Sequence, residues 1–317
     1  MFMTVRACAA ATVFYAVSLA VGVEEVREMP KASMTEPISK GQRVFSCGHS
    51  FHYFVPAILE DMARSAGLTG HVCVGLSAIG GSQVLMHWNV PDAQNKAKEA
   101  LRKGEVDVLT LSPLYPPDEG IEKFAILGLE HNPAIRITVE EIWLRWDVYE
   151  PSSPDLAPVY LPGDNKKLPA TVDHNALTGP ELRKRHAPLF ESMDAYVRDL
   201  NKKLGKPVLF VVPAGQAVVA MREKVIAGQA PGLKTQEDLF ADPVGHPTAP
   251  LQALVAYCHF AVIYRRSPVG LPMPAVLKAA NNPKWDDKLN RVLQEVAWDA
   301  VTHHPLSGVT AAATSGR

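Results

Sequence analysis

Val44-Phe45-Ser46-Cys47-Gly48-His49-Ser50-Phe51-His52 decides how this chain is read. It starts as a short apolar run of β type and passes into a helix-like stretch near 52–66. Ser50 therefore falls at a strand-to-helix turn, where Gly48 permits a tight bend. Its own amide N–H is expected to point outward at the helix N-terminus, ready to meet negative charge. Two roles for Ser50 stay open on these residues: a helix N-cap or a nucleophile.

Working outward, similar apolar runs recur at 70–76, 106–112, 135–140 and 207–212, besides the first at 42–47. Helix-like stretches separate them near 93–103, 119–130, 180–204 and 215–228, and two more lie near 248–266 and 286–301. Apolar strands alternating with amphipathic helices predict an α/β chain, a parallel five-stranded sheet covered on both faces as a three-layer α/β/α sandwich of flavodoxin-like type. Ligands are then expected beyond the carboxyl ends of the strands. Residues 145–179 break the rhythm, with five prolines between Pro151 and Pro169. They read as an insertion, either near the site mouth or as a surface excursion.

The composition agrees with a packed domain. The 317 residues are 47% hydrophobic and 21% charged, which excludes a disordered or fibrous chain. A net charge of -1 leaves no basic excess to neutralise phosphates, so nucleic acid is not an expected partner. The N-terminus has the pattern of an export signal: Arg6, an apolar run of 15 residues from Ala7 to Val21, then Ala20 and Gly22 before Glu24. A spanning helix needs about 20 apolar residues, so a retained anchor or a lipid-linked form is the alternative to export, and no membrane span is expected once a signal has left. The resulting division is 1–22 signal, 23–41 linker, 42–270 α/β domain and 271–317 C-terminal helix and tail. Cys8 would leave with the signal. The odd set Cys47, Cys73 and Cys258 implies no disulfide framework, and each sits in an apolar run as a buried small side chain.

Two further blocks bear on Ser50. Leu76-Ser77-Ala78-Ile79-Gly80-Gly81-Ser82 follows the second strand, and its glycines let a backbone N–H come close to a substrate, or simply end a strand. Asp242-Pro243-Val244-Gly245-His246 precedes a late helix and offers an imidazole with a neighbouring carboxylate.

Together these blocks resemble the SGNH (GDSL-like) hydrolases, over roughly residues 42–270. Gly48-His49-Ser50-Phe51 matches the serine block, Ile79-Gly80-Gly81-Ser82 with His87-Trp88 the second, and Asp242 with His246 the acid and base. The branch most similar, with Gly-Asn-Ser-Phe and Ile-Gly-Gly blocks, occurs in exported bacterial proteins. The resemblance implies a serine esterase without a cofactor: Ser50 as nucleophile, His246 as base, Asp242 as its acid, and the amides of Ser50 and Gly81 (or Gly80) as oxyanion donors. It implies an ester substrate, for example an acetyl group on a small or polymeric carbohydrate. A saccharide-binding protein without activity and a lipid or arylester hydrolase are the rivals.

Two departures from the family stand out. The third block lacks its asparagine: the strand runs Leu109-Thr110-Leu111-Ser112-Pro113, leaving Ser112 or the later Asn132 as substitutes. The acid also precedes the base by four positions rather than three, which asks for a bulge through Pro243 and Gly245.

Cys47, His49 and His52 could form a metal cluster, but no fourth ligand is evident, so no metal is expected. Trp143 and Trp146 follow the fourth strand and suit either stacking on a sugar or core packing. Glu140 and Glu141 are adjacent on a strand and so face opposite sides, which argues against a glycosidase pair; one is expected at the core edge and one at the surface. His303-His304 is expected in solvent, as is the helix face Lys96 to Lys103.

Overall fold

A computed structural model describes residues 36–147 and 172–310. Five parallel strands, β1 (Arg43–Gly48), β2 (Val72–Ala78), β3 (Val108–Leu111), β4 (Arg136–Glu140) and β5 (Leu209–Val212), form one sheet in the order β2-β1-β3-β4-β5. This is the doubly wound order in which the chain changes direction between β1 and β3, opening a crevice at the carboxyl ends. The three-layer α/β/α architecture expected from the sequence is the one observed, each strand within about two residues of its apolar run.

The sheet is covered on both faces because its strands alternate between two cores. Phe45, Cys47, Leu109, Leu111, Ile137 and Val139 meet α3 (Lys96–Arg102), α4 (Glu119–His131) and the C-terminal half of α5 (Gly179–Lys203). Val44, Val108, Phe210 and Val212 face α1 (Val55–Ser65), α6 (Ala214–Ile226), α7 (Ala249–Tyr264) and α9 (Asp287–His303). Helix α7 is buried nearly all round, which suits its almost wholly apolar sequence. The second face also carries a polar seam. Ser46, Thr110 and Thr138 are side by side in register on β1, β3 and β4, all buried, with Glu140 two residues beyond Thr138.

Two short helices, α2 (Val84–Trp88) and α8 (Ala275–Ala279), are too brief for a helical period to show in the sequence. The carboxylate of Asp118 accepts from the amides of Val84, Leu85 and Gly120, joining the start of α2 to that of α4. Most of the Pro-rich insertion, 148–171, lies outside the described residues, as does the predicted signal. The chain on either side of it is pinned by one buried network: Asp147 accepts from His174 at 2.9 Å and from Arg222, whose Nε donates to Gln236 at 2.7 Å. Among the described residues no helix is long and apolar enough to cross a membrane. Cys47, Cys73 and Cys258 are free, the first and last fully buried.

Candidate active site

Ser50 follows β1 directly, as expected, but it does not cap a helix. The amides of His52 and Tyr53 donate to the carbonyl of His49, and α1 begins only at Val55, with Phe54 in the cap position. Gly48 matters for proximity rather than for a bend: a Cβ there would stand 2.8 Å from the His52 ring. The Ser50 hydroxyl instead meets the Nε2 of His246, 2.8 Å away.

The loop before α7 brings His246 there. Phe240 and Pro247 form an antiparallel bridge, and the amide of Ala241 donates to the His246 carbonyl at 2.8 Å. Inside this closed turn Gly245 takes φ +94°, a left-handed conformation open to glycine. Asp242 Oδ1 accepts from the amides of Gly245 and His246, both at 3.2 Å, while Oδ2 lies 2.6 Å from His246 Nδ1. Burial works against charge on Asp242, but these hydrogen bonds outweigh it and hold the carboxyl below its ordinary range. With Nδ1–H given to the carboxylate, Nε2 remains as an acceptor for the serine hydroxyl, the tautomer a general base needs.

Trp143 supports this loop from below. It is fully buried, stacks on Phe51 with ring centroids 4.4 Å apart, and donates its indole N–H to the Gly245 carbonyl at 3.0 Å. Phe51 in turn sets its edge against the His246 ring. The expectation that Trp143 and Trp146 stack on a sugar at the mouth is corrected: both are buried, Trp146 with its amide bonded to the Val244 carbonyl. Core packing is the role that the apolar surroundings give Trp143, whereas the Trp146 ring lies beside the Arg145 guanidinium, 5.8 Å from it.

The Gly80-Gly81 turn lies beside the nucleophile strand, since the amide of Ile79 donates to the Gly48 carbonyl at 3.2 Å. Gly81 has φ +60°, whereas Gly80 has an ordinary backbone and only the Tyr53 hydroxyl nearby. His87 bridges the two ends of the turn, 2.7 Å from the hydroxyls of both Ser77 and Ser82. Neither substitute for the missing asparagine is free for the purpose. Ser112 is fully buried with its hydroxyl 3.2 Å from His49 Nε2, and burial pushes His49 down to about 3, leaving it neutral. Asn132 ends α4 and bonds the Val106 carbonyl before β3, at the amino ends of the strands, whereas Ser50 lies at their carboxyl ends.

Cys47, His49 and His52 do not assemble. Cys47 packs in one core, while His52 Nδ1 meets Glu140 Oε2 at 2.5 Å in the other. Glu140 and Glu141 do face opposite sides, yet both are fully buried, against the expectation of one at the surface. Long-range imidazole partners explain this: His52 and His259 for Glu140, and His304 for Glu141, which also accepts from Gln216. His304 is accordingly buried rather than in solvent, 3.1 Å from Asp194, while His303 is exposed. Lys98 likewise leaves the exposed face Lys96 to Lys103 to lie over the Trp88 ring and pair with Asp92. The sequence shows these groups only as polar residues within apolar strands and helices.

No family model matches the chain, and no curated protein does. Among solved structures, a DUF4886 family protein from Bacteroides uniformis superposes with a TM-score of 0.51 at 13% identity, covering 83% of this chain and 96% of that one. A Parabacteroides merdae protein assigned to the GDSL-like lipases superposes more loosely, with a TM-score of 0.42 at 14% identity over 72% of this chain and 97% of that one. At such identities the first likeness is one of fold.

Proposed function

We propose that this chain is a serine ester hydrolase of the SGNH type, working through an acyl-enzyme. The observation that carries this reading is the continuous hydrogen-bonded line from Ser50 through His246 to Asp242, at 2.8 and 2.6 Å, placed at the carboxyl end of β1 where an α/β fold binds its ligands. All three side chains are half-buried or more open, so a substrate can reach them.

In this mechanism His246 Nε2 takes the hydroxyl proton as Ser50 Oγ attacks the ester carbonyl carbon. Asp242 keeps the imidazole in its tautomer and stabilises the imidazolium. The amides of Ser50 and Gly81 hold the oxyanion, a contribution of about 100-fold to 1000-fold in rate for each such donor. His246 then gives its proton to the departing alkoxide, and water, activated by the same imidazole, releases the acid. We assign the substrate to acyl esters of carbohydrates, acetyl or similar, and the site of action to the exterior of the cytoplasm; the family resemblance and the N-terminal pattern support these two assignments. The test is hydrolysis of p-nitrophenyl acetate by the parent and by Ser50→Ala. The variant is expected to lose turnover with an unchanged melting temperature, and retained turnover would refute the reading.

A further inference from the structure

The polar seam on the α7 face of the sheet ends in a buried array that the hydrolytic mechanism does not use. Glu140 Oε2 is 2.5 Å from His52 Nδ1 and 3.0 Å from His259 Nε2, and all three residues have no exposure. His52 Nε2 continues to Thr110 Oγ1 at 3.0 Å, which reaches Ser46 Oγ at 2.8 Å. Three histidine and glutamate ligand atoms this close suggest a cation site. The contacts argue otherwise. Both imidazole nitrogens converge on one carboxylate oxygen at hydrogen-bond lengths, and a cation about 2 Å from each would have to part them.

What the array joins is more informative. His52 is the inward residue of the turn that carries Ser50, its ring packed under Gly48. Glu140 ends β4, three residues before the Trp143 that props Phe51 and the His246 loop. His259 belongs to α7, the helix that starts three residues after His246. The nucleophile and its base come from segments 196 positions apart in sequence, and a catalytic hydrogen bond between them tolerates little misplacement.

Resting on the reading of Ser50 as nucleophile, we propose that Glu140 is a positioning residue: through His52 and His259 it ties the nucleophile turn to the helix behind the base and so fixes the Ser50–His246 spacing. Glu140 Oε1 and His259 Nδ1 are already buried without a hydrogen-bond partner among the described residues, so losing the Oε2 contact would leave the His259 ring with none, and that cost holds carboxylate and imidazole together. Burial opposes charge on Glu140, but its two imidazole partners outweigh it, which keeps the carboxylate an acceptor for both.

The test compares the parent with Glu140→Gln, His259→Leu and His259→Gln. Removing the carboxylate or the α7 imidazole should lower kcat on p-nitrophenyl acetate at least tenfold with KM within twofold, and should speed amide hydrogen exchange at residues 50–55 while distant strands keep their protection. His259→Gln retains an N–H donor and should recover most of the loss. If Glu140→Gln does not fold, the two His259 variants carry the same comparison. Parent-like kcat and parent-like exchange in His259→Leu would overturn the proposal, as would one zinc or other transition metal per chain in the purified parent. The exchange measurement needs no turnover, so it separates failure of the tether from failure of the esterase reading: a parent without esterase activity but with a loosened turn in the variants would sink only the latter.

Discussion

Asp242 Oδ2 lies 2.6 Å from His246 Nδ1 although the two residues are four positions apart in a loop. Helical geometry would account for such a pair on a helix face, but here the turn does it. The left-handed Gly245 folds the chain back so that one carboxylate oxygen takes two amides and the other takes the imidazole. The acid's spacing departs from the related pattern, and the geometry is closed all the same.

Asp242→Asn should lower kcat by up to about 10⁴-fold near pH 7, since an amide can stabilise the wrong imidazole tautomer. The asparagine can still accept from the Gly245 and His246 amides, so thermal unfolding should move little. A kcat within threefold of the parent would remove Asp242 from the triad.

The two glycines after β2 should behave differently. Gly81→Ala places a side chain at φ +60°, which costs about 1–2 kcal/mol and turns the amide away from the oxyanion, so kcat should fall about 100-fold or more. Gly80→Ala has an ordinary backbone and nothing closer than the Tyr53 hydroxyl at 3.6 Å, and should be nearly neutral. Steady-state kinetics on both variants decides; the reverse order would make Gly80 the donor.

Trp143→Phe keeps an aromatic ring against Phe51 but leaves the buried Gly245 carbonyl without its indole donor. A loss of about 1–3 kcal/mol in unfolding free energy is expected for an unmet buried group, together with a fall in kcat as the His246 loop loosens. Denaturant unfolding and kinetics on one preparation would show both; a change in neither would mean the loop holds itself.

His304 should govern part of the alkaline stability. Burial alone would lower its pKa, but the Asp194 and Glu141 carboxylates outweigh it and lift it from 6.5 to about 9. The folded state therefore keeps a proton that the unfolded chain releases above about 6.5. Its stabilisation is complete below that pH and is lost as pH rises through about 9, a difference on the order of 3 kcal/mol. Unfolding free energies of the parent and His304→Gln, measured from pH 6 to 10, should differ most at pH 6 and converge near pH 10. A constant difference would refute the assignment.

The sheet and seven longer helices were legible because buried parallel strands are short apolar runs and helices carry a longer period, as at Val108–Leu111 and Glu119–His131. Ser50, Asp242 and His246 were legible as local blocks, each a few residues long. One of the pair Glu140 and Glu141, and His304, are expected in solvent yet lie buried, for a common reason. A charged group is put at the surface unless its partner is known, and here the partners lie 75 to 163 positions away in sequence, from Glu141–Gln216 at the near end to Glu141–His304 at the far end. Trp143 was ambiguous for the same cause, since its hydrogen-bond acceptor is 102 positions distant.

The mechanism requires an acylated Ser50, and that intermediate can be trapped. The parent would be mixed with p-nitrophenyl acetate, quenched in acid during turnover, and digested for peptide mass spectrometry. One acetyl group per chain is predicted, on the hydroxyl of Ser50, with none there in His246→Ala. Turnover without an acetylated Ser50, or with the acetyl group on another residue essential for that turnover, would contradict the account.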